Sequence, residues 1–382
     1  MEVHEISFYK DFTCLGDKCP ETCCRGWQIP LSDEDLKRFG QEKGLLKMKI
    51  LLAMSEHSIP VFNENCSKCP FLTKKGLCSM QLKKGHDYLP EVCRSYPRFI
   101  RNYGFFSERY PDLSCIHAAS LFTEHIGDLI LENTEEEPPC ERSGTNDDPV
   151  FMEYLKDMRS SMINALMNVE TYEKLAEVLD KTDSYALEVQ SAYLKGIDDY
   201  PATHPFIPGT EECAKKEVHP PIFPLRADEL NKLMHSSVYH IRLKMTNPRL
   251  HELFMLWFGR YHRLVGSQNA WKQTYTGFMR SYPETASYFA SYYAYYLYMY
   301  FFKCFEDYSF VRNIRIGMIH LSMIFAFCVL YEKKHSLFDK DSFAHIIAVY
   351  NRRAYFSDTI LDEMYKVLES RSTQSFTDIP FS

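Results

Sequence analysis

Beyond residue 150, apolar side chains recur three and four positions apart with few interruptions. This predicts helices over 151–168, 171–194, 227–245, 249–265, 268–280, 284–305, 311–333, 341–350 and 358–369, the last with Ser357 as N-cap. Before residue 150 the pattern is broken. Ser32 followed by Asp33, Glu34 and Asp35 marks a helix start with acids facing the dipole; the helix runs to about Gly44 or resumes through Leu51 and Met54. Short helices are expected over 79–84 and 88–95, the second stopped by Pro97, and a short strand or hairpin over 102–112. Residues 118–131 predict an amphipathic helix with Leu121, Ile126, Leu129 and Ile130 on one side. Residues 1–31 read as irregular, and residues 199–225, with six prolines, read as a long loop.

There is no βαβ alternation and no internal repeat. The expected fold class is mainly α, with a loop-rich N-terminal cysteine-cluster domain packed on a large α-helical domain. At 382 residues the chain exceeds what one core usually serves, so two domains are expected. The boundary falls at 132–149, an acidic, proline-bearing stretch poor in apolar residues, between a domain at 1–131 and a helical domain at 150–382.

Composition narrows the class. Hydrophobic residues make up 45% and aromatics 15%, with 26 Tyr and 27 Phe, so a crowded aromatic core is expected. A net charge of −7 excludes the basic excess of a nucleic-acid binder. Residues 1–11 are polar and lack the apolar run of a secretory signal. The most apolar run, 316–331, is interrupted by His320 and is short for a bilayer. A soluble, cytoplasmic chain with no membrane partner is therefore expected. In a reducing cytosol clustered cysteines serve metals more often than disulfides, and thirteen cysteines cannot all pair within one chain.

Nine of those cysteines fall between residues 14 and 115. They read Cys14-x4-Cys19-x3-Cys23-Cys24, then Cys66-x2-Cys69-Pro-Phe-Leu-x5-Cys78, then Cys93-Arg-Ser-Tyr-Pro-Arg, then Ser114-Cys115. Thiolates are soft donors, and short loops that gather several of them suit zinc or an iron–sulfur cluster. Gly16, Pro20, Gly26 and Pro70 supply the turns that curl such loops.

The ordered series Cys-x4-Cys-x3-Cys-Cys-x-Gly-Trp (14–27), Cys-Pro-Phe-Leu (69–72), Gly-x-Cys (76–78), Cys-x-x-Tyr-Pro-Arg (93–98) and Leu-Ser-Cys (113–115) resembles the flagellin lysine-N-methylase family. The first half also resembles a wider group of zinc- or iron-chelating cysteine-cluster proteins. The motifs cover about the first third of the chain; the helical remainder fits by length and position alone. The resemblance implies a methyltransferase acting on flagellin lysines, with S-adenosylmethionine as methyl donor and a 4Fe-4S cluster in or near the active site. A zinc-stapled, non-catalytic flagellar adaptor is the alternative.

The resemblance also implies site residues. Cys14, Cys19, Cys23, Cys24, Cys69, Cys78, Cys93 and Cys115 form the metal set, with Cys66 an extra beside it. Adjacent Cys23 and Cys24 point in different directions, so the leading quartet is Cys69, Cys78, Cys93 and one of Cys19, Cys23 or Cys24. Cluster and zinc both suit sulfur ligands. Arg94 and Arg98 either pin the cofactor carboxylate or complement a helix C-terminus, and Tyr96 orients the amine or its water. Trp27 stacks on adenine or packs on the cysteine loops. Where the family has Cys-Pro-Glu this chain has Cys115-Ile116-His117, and His117 takes the place of the acid as base or ligand.

Methyl transfer has no independent motif here. With 15 Gly and no Gly-x-Gly, the chain lacks the glycine-rich turn of a doubly wound cofactor fold, and the radical spacing Cys-x3-Cys-x2-Cys is absent. Tyr288, Tyr292, Tyr295, Tyr296, Tyr298 and Tyr300 on one predicted helix either line a substrate groove or form aromatic core with hydroxyls at its rim. His235, His240, His251 and His262 contain no i, i+4 pair and are ordinary residues. The basic stretch 66–109, with nine Lys and Arg against three acids, offsets cluster charge, binds an acidic partner or, the favoured reading, is a solvated face.

Overall fold

Helix starts are written into the chain by capping side chains. Asp148 accepts from the Phe151 amide (2.9 Å) to open α6 (Pro149–Met167), and Thr171 accepts from Lys174 (3.2 Å) to open α7 (Tyr172–Tyr193). Earlier helices are α1 (Asp33–Gly40), α2 (Gly44–Ala53), α3 (Ser79–Lys84), α4 (Glu91–Ser95) and α5 (Ile116–Glu124). Later ones are α8 (Tyr200–Thr203), α9 (Ala227–Ser236), α10 (Gln268–Ser281, capped by Ser267), α11 (Thr285–Tyr300), α12 (Cys304–Asp307), α13 (Phe310–His335) and α14 (Lys340–Ala354). This computed structural model describes residues 2–25, 28–55, 60–62, 68–129, 131–135, 144, 146–207, 223–236, 251–253, 255–256, 267–354, 361 and 364–367. Its fold is mainly α, as expected. The helices expected over 249–265 and 358–369, His240, His262 and most of the proline-rich loop lie largely or wholly outside the described residues.

α11 and α13 form the centre of the main core. α13 is buried continuously from Phe310 to Leu330 apart from Arg312, because it is apolar on nearly every face and is wrapped by other helices. The apolar run read from sequence is the middle of this 26-residue helix. By length and composition the helix is able to cross a bilayer, but almost all of its apolar stretch is covered by the protein itself. Of the tyrosines of α11, Tyr292, Tyr293, Tyr295, Tyr296 and Tyr298 are core residues, and Tyr288 and Tyr300 pack half-buried against that core. Tyr293, Tyr295, Tyr296 and Tyr298 donate to the carbonyls of Ile314 (3.1 Å), Pro111 (2.6 Å), Asn313 (3.3 Å) and His4 (3.2 Å), and Tyr292 donates to Asn351 Oδ1 (2.9 Å). The hydroxyls are satisfied by structure, as a buried phenol requires.

The N-terminal third contributes a sheet to that same core. Strands β1 (Glu2–Ile6), β5 (Arg98–Asn102), β6 (Phe106–Pro111) and β7 (Leu131–Glu135) lie in the order β5-β6-β1-β7. β1 runs parallel to β6 and antiparallel to β7. Ile6, Phe8, Tyr103, Phe106, Tyr110 and Leu113 join the cluster of α11 and α13. Arg159 of α6 fixes the sheet: it forks onto the Glu108 carboxylate, donates to the Tyr298 carbonyl (3.1 Å) and lies over the Phe302 ring (3.8 Å). Residues 1–31 are therefore not wholly irregular. β1 escapes the periodicity reading because Val3, His4, Glu5 and Ile6 are all buried, so no polar–apolar alternation exists. α5 also ends earlier than residue 131, at a turn where Gly127 has φ +81° and donates to Ser291 Oγ (3.0 Å).

Residues 29–93 hold a second, smaller core of Ile29, Leu31, Phe39, Ile50, Phe62, Phe71, Leu72, Met80 and Leu89. Three two-residue strands, β2 (Ile29–Pro30), β3 (Met54–Ser55) and β4 (Val61–Phe62), form its sheet in the order β2-β4-β3. The Ser32 start is a full capping box with Asp35. Buried Asp35 also accepts from the Glu91 amide (3.0 and 3.2 Å) and pairs with Arg38, so one carboxylate opens both α1 and α4.

Candidate functional site

The first cysteine loop, 12–25, has little regular structure and is held from outside at three points. Arg98 donates to the Phe12 carbonyl (2.7 Å), with its guanidinium 4.9 Å from that ring's centre. Arg352 of α14 reaches Glu21 (3.2 Å). The Cys69 amide donates to the Cys24 carbonyl (2.9 Å), beside a bridge between Arg25 and Lys68. The second loop closes on itself through a Leu72–Cys78 bridge and the Ser79 amide on the Phe71 carbonyl (2.7 Å), with Gly76 at φ +79° in its turn.

These ties sort the thiols into two neighbourhoods. Cys93, on the helix that Asp35 opens, lies within electrostatic reach of Cys24, Cys69 and Cys78; Cys69 likewise senses Cys24 and Cys78. Burial, then the neighbouring sulfurs, push Cys93 well up, and Cys69 is pushed up to about 12. Cys78 is raised by burial as well. Cys24 is the exception: hydrogen bonds from Cys23 and Thr22 hold it near pH 7 against burial, at about 7. The second neighbourhood holds Cys14, Cys19 and Cys115. Cys19 is raised by burial and Cys115 reaches about 11 for the same reason. Exposed Cys23 stands between the groups, held protonated chiefly by its bond to Cys24.

The quartet Cys24, Cys69, Cys78 and Cys93 has the chemistry of a zinc or iron–sulfur donor set: four soft sulfurs from two loops and a short helix, whose mutual repulsion a cation reverses. Among the described residues, however, no group of three or more His, Cys, Asp or Glu side chains stands in ion-holding geometry. The sulfurs are neighbours without yet converging on one point.

The other sequence candidates spread around this arrangement. Tyr96 is half-buried, shares a hydrogen bond with Ser114 Oγ (3.0 Å), and is kept a neutral phenol chiefly by desolvation. His117 is half-buried against the Phe12 ring, 5.6 Å between centres, and so stands with Arg98 beside the first loop. Arg94 turns instead to the Asp87 carbonyl (3.4 Å). Trp27, Gly26 and Cys66 lie outside the described residues. His251 and His235 lie in helical segments of the body.

Sequence reasoning missed Arg352. It is buried, and besides Glu21 it donates to the Ser114 carbonyl (3.0 Å), so its charge bears on Cys19, Cys23, Cys115, Tyr96 and Asp112. Its partner Glu21 is 331 residues away, which no local pattern reports. Glu21 itself carried a signal, a carboxylate placed between Cys19 and Cys23.

Fold and site together define a mainly α protein with thiol-rich loops docked against a helical body. The sequence model of the FliB lysine N-methylase C-terminal domain matches residues 160–379, the part of the chain that the cysteine motifs do not reach. The chain belongs to the FliB lysine N-methylase family. It is 27% identical over 113 residues to the flagellar biosynthetic protein FliU of Salmonella muenchen, covering 26% of this chain and 64% of that protein. It is 29% identical over 112 residues to the lysine-N-methylases of Salmonella choleraesuis (strain SC-B67) and Salmonella typhimurium (strain LT2), covering 26% of this chain and 27% of each. The chain thus spans under two thirds of the length of these relatives. No solved structure matches it.

Proposed function

We propose that this chain is a cytoplasmic lysine N-methyltransferase that modifies flagellin, with S-adenosylmethionine as methyl donor and an iron–sulfur group held by Cys24, Cys69, Cys78 and Cys93. The observation that carries the activity is the family match over residues 160–379. The names of the relatives, a lysine-N-methylase and a flagellar biosynthetic protein, support the substrate. The gathering of four thiols supports the metal group.

A lysine amine attacks a sulfonium methyl only when deprotonated, aligned in line and shielded from water. His117 is the base in this reading, half-buried beside the Arg98–Phe12 contact. Tyr96, held as a neutral phenol, orients through its hydroxyl and does not take the proton. Arg98, bound to the Phe12 carbonyl at the start of the first loop, is the cation this reading assigns to a donor's carboxylate. Four thiolates fill the coordination of a zinc ion or a four-iron cluster, so the bound group supplies charge neutralisation and loop closure. Methyl transfer then rests on side chains.

Mass spectrometry of flagellin co-expressed with this chain tests the reading. Methyl-sized mass steps on lysines, lost with His117→Ala, are expected. Unmodified flagellin in a stable complex would instead favour the non-catalytic adaptor.

A further inference from the structure

The helical body and the cysteine loops meet at one buried side chain. Arg352 sits near the end of α14, which packs along α5, and it points into the N-terminal third. One nitrogen holds the Glu21 carboxylate at 3.2 Å, in the middle of the Cys19–Cys23 segment. The other holds the Ser114 carbonyl at 3.0 Å, in the turn that ends in Cys115. That turn is set by Asp112, which accepts from the Ser114 amide (2.7 Å), and by Tyr96 on Ser114 Oγ. A planar guanidinium with both prongs engaged fixes distance and angle between its partners, which a single flexible bond does not.

We infer that Arg352 is a positioning residue: a two-pronged clip by which α14 clamps the first cysteine loop against the Cys115 turn, so that metal retention by the thiols depends on docking of α14. The metal part of this inference rests on the function proposed above; the clip itself does not. Glu21 and the Ser114 carbonyl are the two halves that the clip joins. Loss of the arginine frees residues 19–23 from the Cys115 turn; Cys24 keeps its tie to Cys69, but the segment that leads to it is no longer anchored at Glu21. The guanidinium also places a fixed positive charge beside Cys19, Cys23 and Cys115.

The test uses the full-length protein with Arg352→Met, Arg352→Lys and Glu21→Gln. Hydrogen exchange is followed over 14–25, 112–116 and α13, and metal loss is followed against excess chelator. Arg352→Met is expected to raise exchange over 14–25 and 112–116 at least tenfold, to leave α13 protected, and to speed metal loss at least tenfold. Arg352→Lys, which keeps the charge but not the fork, falls between it and wild type. Glu21→Gln, which keeps the Ser114 prong, loosens 14–25 alone. Unchanged exchange over 14–25 in Arg352→Met overturns the clip, as does loosening that spreads equally through α13. If Arg352→Met does not fold, the one-sided effect of Glu21→Gln decides. A wild-type protein without metal defeats the metal reading, while the exchange pattern still decides the clip.

Discussion

Replacing Asp35 by alanine isolates what holds Cys93 in place. The carboxylate is buried, accepts from the Ser32 amide (3.2 Å) and twice from the Glu91 amide (3.0 and 3.2 Å), and pairs with Arg38. A hydrogen bond to a charged acceptor contributes about 1.5–3 kcal/mol. Glu91 is exposed and Ser32 half-buried, so water recovers part of what both amides lose. Arg38 is a quarter exposed and keeps its bond to the Leu89 carbonyl (2.9 Å), so its ion pair adds little. The sum is about 3 kcal/mol, or roughly a 100-fold rise in local opening. Because residues 29–93 have their own core, the loss should stay local: exchange in α1 and α4 rises, and α11 and α13 stay protected. Asp35→Asn, whose amide oxygen still serves one donor, should show about half the effect in kcal/mol. Unaltered exchange over 86–96 in Asp35→Ala would refute the reasoning, and so would an equal rise in the helical body.

Three further outcomes follow from the core. Gly317→Ala should lower the denaturation midpoint: a Cβ there overlaps the Tyr296 ring and stands 2.9 Å from Cε2 of Tyr293, both rings are pinned by their hydroxyls, and overpacking of about 3 kcal/mol outweighs about 1 kcal/mol of helix propensity, so a stabilised variant would contradict this contact. Arg159→Met leaves Glu108 charged and buried and should cost about 3–5 kcal/mol by urea titration, with part recovered by adding Glu108→Gln; an additive pair would argue against the ion pair. Burial drives the His320 imidazole down to about 3 from 6.5, so its contribution is complete above pH 6.5 and declines by about 1.4 kcal/mol per unit as pH falls toward 3. His320→Gln should therefore flatten the acid limb of stability between pH 6 and 4 by one proton's worth, and identical slopes would place the ring in solvent.

The helices that sequence renders well are those whose ends are chemical. Ser32, Thr171 and Ser267 are capping residues, and each helix begins where its cap dictates. Ser79–Lys84 is likewise found where it is expected. The sheet was barely legible. β1 carries His4 and Glu5 inside: the His4 ring pairs with Glu2, the His4 carbonyl accepts from the Tyr298 hydroxyl, and Glu5 pairs with Lys10 and Arg109. Motif order points to Cys69, Cys78 and Cys93; Cys24 lies within electrostatic reach of all three, and Cys23, hydrogen-bonded to Cys24, also senses Cys93. The split of the remaining thiols, and the arginine between them, depend on a helix some 240 residues beyond the nearer loop. Contacts at that range leave no local signature.

The most direct test of the account is metal analysis with an absorption spectrum on anaerobically purified protein and on the serine variants of Cys24, Cys69, Cys78 and Cys93. The account predicts brown, iron-loaded wild type, bleaching in each of the four variants, and retention of colour in Cys14→Ser. Colourless protein with stoichiometric zinc would overturn the cluster but keep the quartet. Wild type without metal, or variants that hold it as well as wild type does, would contradict the claim that these four thiols share a centre.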